Sequence, residues 1–244
     1  LGAWWITRHP QSPLREHLRF LRLREDGTPA AGAFPGWPER AREVTVLDPC
    51  CGSGHFLVRA FELLVQMRME EEGLGADDAA DAVLRDNLFG LELDARCTQI
   101  ATFALALAAW QRGGHPERHP PHVACAGLPV RGQLDDWRRL ARGDTRLQMA
   151  LEELHKSFQD APTLGSLINP RRVARPDLFA PRWEDVARAI EQALRRERDG
   201  DPALAIFGHT AEGAARAAAF LARDYTLVAT NVPYLKRGSQ DETL

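Results

Sequence analysis

The 244-residue chain reads as an α/β protein built on an open parallel sheet. Three observations predict it. Short apolar or β-branched runs recur at 44–48, 87–93, 122–126 and 225–230. The first of them breaks into a glycine turn, Cys50-Cys51-Gly52-Ser53-Gly54. Segments of helical period separate the runs, which is the alternation that parallel crossovers need.

Taken in order, residues 1–43 form a mixed helical and loop segment. Leu14, Leu18 and Leu21, interleaved with Arg15, Arg19 and Arg22, predict a helix from Leu14 to Leu23. Asp26-Gly27-Thr28-Pro29 is a turn, and Gly32 to Pro38 is loop-like. Val44-Thr45-Val46-Leu47-Asp48 is a buried strand. Phe56, Leu57, Ala60, Phe61, Leu64 and Met67 then predict a long helix ending near Gly73, with a second from Asp77 to Leu84. Asn87–Leu93 is the next strand. Asp94 is placed to cap a helix over Ala95–Trp110, which stops before Gly113-Gly114. His122–Ala126 is a third strand, closing a unit that spans 44–130. Residues 131–223 break the rhythm with helical patterns near 134–142, 146–158, 183–197 and 211–223, around Pro162, Pro170, Pro176 and Pro181. They read as a helical insertion. Residues 224–244 restore a strand at Tyr225–Thr230 that ends in Asn231-Val232-Pro233-Tyr234.

Composition narrows the function classes. There are 34 acidic against 31 basic side chains, a net charge of −3, so no overall basic footprint for nucleic acid exists. The longest apolar run, Ile100–Trp110, is too short to span a bilayer, so no membrane partner is expected. Cys50, Cys51, Cys97 and Cys125 form no CxxC pair, which excludes a zinc-finger spacing and a disulfide framework; no metal is expected. Leu1-Gly2-Ala3-Trp4-Trp5 lacks the pattern of a secretory leader, and the expected setting is cytoplasmic. Trp4 and Trp5 are expected as core anchors.

Chemistry concentrates at three strand ends. Asp48 precedes the glycine turn and a helix start, where backbone N–H groups and a positive helix end can receive a ligand. Glu92 closes the second strand, where doubly wound folds place a carboxylate for ribose hydroxyls. Asn231-Val232-Pro233-Tyr234 puts a carboxamide, a stiff backbone and an aromatic ring at the carboxyl edge of the sheet.

With these motifs the chain resembles the class I, S-adenosylmethionine-dependent N6-adenine DNA methyltransferases of gamma order, and is similar to the large methylases of BREX- and DISARM-type phage-defence systems. The family's first motif, D-P-x-C-G-S-G-x-F, is matched by Asp48, Pro49, Cys51, Gly52, Ser53, Gly54 and Phe56, and its N-P-P-Y by residues 231–234. The resemblance covers roughly 44–130 and 224–244. It implies a partial Rossmann-like class I methyltransferase sheet of about four parallel strands, with the helical insertion before the fourth. It also implies that the first-motif residues hold the methionine part of the cofactor. Glu92 would take the ribose and Leu93 would pack on the cofactor's adenine. Asn231 and the Val232 carbonyl would grip the target amine, and Tyr234 would stack on a flipped adenine of DNA.

The chain departs from the pattern in places. Val232 replaces the first proline, although Pro233 still biases it to extended backbone. The third strand lacks the acid that many relatives use, and the backbone amide at Ala126 is expected in its place. Ile6-Thr7-Arg8-His9-Pro10 stands for the cofactor-contacting segment before the first motif. His55 reads as a helix-start residue, and Arg171, Arg172, Arg175 and Arg182 as a solvated face. Alternatives are a methyltransferase acting on RNA or on a protein glutamine, and a non-catalytic cofactor-binding scaffold among other defence-system subunits. A seven-stranded sheet needs three strands beyond the fourth motif, so the expectation is a catalytic-core fragment with negligible turnover by itself and an exposed fourth-strand edge.

Overall fold

Val46, Leu47 and Asp48 are all buried, as a strand covered on both faces must be, and they form β1 (Val46–Asp48). The computed structural model describes residues 1–141, 143–170, 183–196 and 202–232. Within them β2 (Leu88–Glu92), β3 (His122–Cys125) and β4 (Leu227–Val228) join β1 in the order β3-β2-β1-β4, every pair parallel. The α/β class and its four parallel strands are those read from the sequence. Val46 pairs with Leu88 on one side and with Leu227 on the other. The chain steps outward from β1 to β3 and then returns past β1 to lay down β4. The sheet's switch point therefore lies between β1 and β4, and open α/β sheets bind ligands at such a point.

The two-residue period of the strands sorts side chains into two cores. Val46, Leu88 and Val123 face α1 (Gly2–Arg8), α2 (His55–Glu72), α3 (Ala76–Asp86) and α4 (Ala95–Trp110). Leu47, Phe89, Leu91 and Ala124 face the opposite core, formed with α5 (Leu134–Leu140), α6 (Thr145–Ser157), α7 (Ala161–Leu164), α8 (Trp183–Arg196) and α9 (Pro202–Ala222). Local chemistry explains the helix ends. The Asp94 carboxylate accepts from the Arg96 amide at 2.8 Å, and Asp144 does the same for Arg146 and Leu147. Gly73, at φ 68°, stops α2. No helix among the described residues is long and apolar enough to cross a membrane.

Two expectations are corrected. Leu14–Leu23 is not a helix: a 3-10 turn over Pro13–His17 ends at Leu18, and Leu23 bridges antiparallel to Pro29. Leu14 is buried and Leu18 and Leu21 pack partly against the core from a loop, which the Arg24 amide on Thr28 and the Ala30 amide on Arg22 hold in place of helical bonds, while Phe20 is 97% exposed. The helix expected at 211–223 starts earlier, at Pro202, a residue suited to a first turn. Trp4 and Trp5 are core anchors, both fully buried. Pro176, Pro181 and the arginines at 171, 172, 175 and 182 lie outside the described residues.

One buried polar group fastens the entry to the sheet. Asn87, with no exposed surface, donates from Nδ2 to the carbonyls of Ala41 (2.9 Å) and Val44 (2.6 Å). Its Oδ1 accepts from Arg68, which also binds Glu72 and Asp86. Removing the amide leaves the buried Val44 carbonyl without a donor, at about 1–3 kcal/mol, while the Ala41 carbonyl keeps its bond from the Val44 amide. Asn87→Ala is accordingly expected to lower the stability of the chain by about 2 kcal/mol in urea titration. A loss below about 0.5 kcal/mol, the range of an ordinary surface substitution, would show that the amide carries no such role.

Candidate active site

The site grows from the carboxyl ends of β1, β2 and β4. Asp48 ends β1 with 1% of its surface exposed. Its Oδ1 accepts from the Cys50 amide at 3.2 Å, while Oδ2 is buried without a hydrogen-bond partner. Burial pushes its carboxyl above the usual range; the Thr230 side chain and the Cys50 amide oppose that shift, and the charge of Glu92 adds to it.

After Asp48 the chain turns through Gly52 (φ 54°) and Gly54 (φ 86°), left-handed conformations that suit glycine. A Cβ on Gly54 would lie 3.1 Å from Ala101 of α4, whereas one on Gly52 would meet nothing within 4 Å. The turn is thus tight beneath and open above. Gly54 starts α2 with no side chain capping its amides. Pro49 and Ser53 are half-buried in the turn, and Phe56, on the first turn of α2, is 51% exposed. Cys51 is buried; desolvation, then the charges of Asp48 and Glu92, push its thiol up to about 12, which makes it an inert packing group. His55 is the exposed first residue of α2.

Glu92 stands at the tip of β2 and is not idle. Its Oε2 accepts from the Gly52 amide at 2.7 Å, and its Oε1 from the amides of Leu93 (2.8 Å) and Asp94 (3.0 Å). A carboxylate offers about four acceptor positions, so three are engaged in holding the turn. Leu93 beside it is 46% exposed.

β4 brings the last motif to the same edge. Thr45 and Thr226 exchange hydrogen bonds between hydroxyl and amide at 3.1–3.2 Å, and the Ala229 amide donates to the Leu47 carbonyl at 3.0 Å. These bonds set Ala229 level with Asp48 and bring Thr230, one residue on, near enough to favour the ionised form of that carboxyl. Asn231 follows directly; it and Val232 are exposed. Pro233 and Tyr234 lie outside the described residues.

Two expected contributors sit elsewhere. The Ala126 amide donates to the Glu92 carbonyl at 2.7 Å and the residue is 1% exposed, so strand pairing already uses that donor. Ile6–Pro10 points away from the turn: His9 lies 3.8 Å from Glu71, near the C-terminal end of α2. Leu1 and Gly2 are the N-terminal residues near the site; with Asp48, Phe56 and Ala229 they line a small cavity of about 190 Å³. A wider cleft of about 990 Å³, between residues 6–16 and 24–33, holds none of the motif residues. Sequence reasoning missed Thr230, and also Ser166, whose Oγ is 3.8 Å from the Cys50 Sγ. The 3-10 turn Gly165–Leu167 carries Ser166 from the helical region to the tips of β1 and β2. No local pattern marks Ser166, but Thr230 follows a strand that already ends in a motif.

Residues 34–133 match the family described as MmeI, DNA-methyltransferase domain. The match includes the glycine turn, Glu92 and Leu93. An adenine-specific methyltransferase BrxX of Escherichia coli O9:H4 (strain HS) is 34% identical over 116 residues, 46% of this chain and 10% of that protein. An adenine-specific methyltransferase PglX of Lacticaseibacillus casei (strain Zhang) is 26% identical over 207 residues, 84% of this chain and 17% of that protein. A PglX of Streptomyces coelicolor is 26% identical over 138 residues, 53% of this chain and 11% of that protein. The resemblance to adenine-specific methyltransferases read from the motifs therefore holds. The chain spans only 10–17% of the length of these relatives.

The Asp48 carboxyl has a testable consequence. Because its folded pKa is raised, the ionised form opposes folding above that pKa, and the penalty fades as pH falls through it. Asp48→Asn, a neutral isostere, is expected to melt at a higher temperature than the wild-type chain at pH 8. The gap should close as the pH is lowered toward 4. Equal or lower melting temperatures at pH 8 would remove the buried-charge account.

Proposed function

We propose that this chain is the catalytic-core part of an adenine-specific DNA methyltransferase that uses S-adenosylmethionine. One observation carries the reading: the glycine turn after β1 and the Asn231 segment after β4 leave neighbouring parallel strand tips, where Asp48 and Ala229 line one small cavity. The similarity to proteins named adenine-specific methyltransferases supports the choice of substrate.

The residues present fit the cofactor. Asp48 Oδ2 is a buried acceptor lacking a partner, and the space over Gly52 is open. In this reading Asp48, Pro49, Cys51, Gly52, Ser53, Gly54 and Phe56 form the cradle for the methionine end, with Asp48 Oδ2 accepting from its ammonium. Glu92 keeps one acceptor position for a ribose hydroxyl, and the exposed face of Leu93 packs on the adenine ring. When bound, the cofactor supplies an electrophilic methyl on a sulfonium.

On the other side, the Asn231 side-chain oxygen and the Val232 carbonyl accept from the two N–H bonds of the target amine. That lone pair is delocalised into the ring; two acceptors draw the nitrogen toward tetrahedral geometry and offset its growing positive charge. Tyr234 stacks on the adenine, held out of the duplex. A proline at 233 biases Val232 to extended backbone, a conformation that suits its carbonyl to this role. The protein's work is positioning and desolvation, with no general base assigned. In this reading residues 44–130 are the cofactor-binding half, 131–223 the insertion and 224–244 the catalytic strand, acting in the cytoplasm beside other defence-system subunits.

Calorimetry with S-adenosylmethionine is expected to show binding that Asp48→Asn weakens about ten- to a hundredfold, the loss of one charge-assisted bond. Labelled cofactor and adenine-containing DNA, given to the longer polypeptide that carries this chain, should yield N6-methyladenine. Asn231→Ala should reduce kcat about 10²–10³-fold there. Label on RNA or a protein glutamine instead would redirect the reading, and binding without any transfer would leave a scaffold.

A further inference from the structure

α4 presents an apolar stripe to solvent that the proposed activity does not use. Ile100 (52% exposed), Phe103 (59%), Leu107 (41%) and Trp110 (51%) lie on its outer side, while Ala101, Leu105 and Ala109 face the core. Monomeric surfaces seldom leave four large apolar side chains aligned along three turns of one helix. No charged residue occurs between Arg96 and Arg112, so the stripe has no ionic guard.

The spacing of the stripe is that of a coiled-coil seam. Steps of three, four and three residues are the a, d, a, d positions of a heptad. The pattern is also palindromic about residue 105: 100 mirrors 110, 103 mirrors 107, and Gln99 mirrors Gln111. A two-fold axis across the middle of α4 would set Ile100 against Trp110 of a second copy and Phe103 against Leu107. Gln99 and Gln111 would meet at both ends. An isologous interface needs this self-complementarity. Ala104 and Ala106 flank the seam and let two helix backbones approach closely.

We propose that this face of α4 is a self-association surface whose occupant is the α4 of a second copy of this chain, packed antiparallel. Area supports the choice. Half-exposed aromatic and aliphatic side chains of this size leave on the order of 400 Å² per copy, so the seams alone bury about 800 Å². That lies below the roughly 1,200 Å² of standard stable interfaces, in the range of weak, transient complexes, which suits a micromolar association. Because β2 leads into the start of α4, antiparallel pairing puts the two strand-tip sites at opposite ends of the dimer. At least the roughly 24 Å length of a 16-residue helix separates them. The inference does not depend on the proposed chemistry.

Sedimentation equilibrium over about 5–200 µM tests it, using the 244-residue chain. The expected result is a shift from 27.2 kDa toward twice that mass. Phe103→Lys and Leu107→Glu, each in a separate chain, should weaken association at least tenfold, with unchanged far-UV circular dichroism. Mixing the two variants should restore a heterodimer, because the new lysine faces the new glutamate while the other layer stays apolar. A wild-type chain that remains monomeric at 200 µM overturns the proposal. So does association that both substitutions leave intact, which would point instead to the β4 edge, or a mixture that fails to recover.

Discussion

The Glu92 carboxylate holds the architecture of the site together. It receives one hydrogen bond from the glycine turn after β1 and two from the start of the turn after β2. One side chain thereby ties two strand tips into one rigid ledge. Without it the Gly52 amide at the open crest of the turn would lose its bond, leaving the turn held at its flanks by Cys50 on Asp48, Cys51 on the Leu91 carbonyl and Gly54 on the Cys51 carbonyl. A ligand group built from backbone amides needs such a tie, because glycine-rich backbone has much conformational freedom to lose.

Asp48 shows the opposite economy. A buried carboxylate oxygen with no partner opposes folding, and its surroundings only partly relieve it. Sites that must receive a cation tolerate this arrangement, since an acceptor already desolvated and aimed gains more from a charged donor than one bonded within the protein. The inert Cys51 thiol, raised by its burial and by the charges of Asp48 and Glu92, fills space in the core against Gly90 without chemistry of its own.

The helices between β3 and β4 do more than fill the interval. Their apolar residues close the second face of the sheet through Leu47, Phe89 and Leu91. Their 3-10 turn reaches the strand tips at Cys50. Structure and site are thus coupled: residues that stabilise the sheet's second layer also shape one wall of the ledge.

Strands, the helices α2 to α4, the Asp94 cap and the motif residues were legible in the chain, because each depends on neighbours a few positions away: periodicity, glycine turns and capping side chains. The helix expected at Leu14–Leu23 was not there: its leucines reach the core from a loop, and an antiparallel bridge with hydrogen bonds between residues 22–24 and 28–30 held the backbone instead. Strand order lay beyond such reasoning. Thr45 and Thr226, 181 positions apart, meet because the chain reverses direction around β1, and that pairing of β4 with β1 brings the segment that leads into Asn231 to the tip of β1. The engagement of Glu92, the use of the Ala126 amide in pairing and the arrival of Ser166 at the tips have the same origin. Residue types and local geometry were determined by sequence; which of them share a site was decided by tertiary packing, since hydrogen bonds between distant segments exist only once the sheet has assembled.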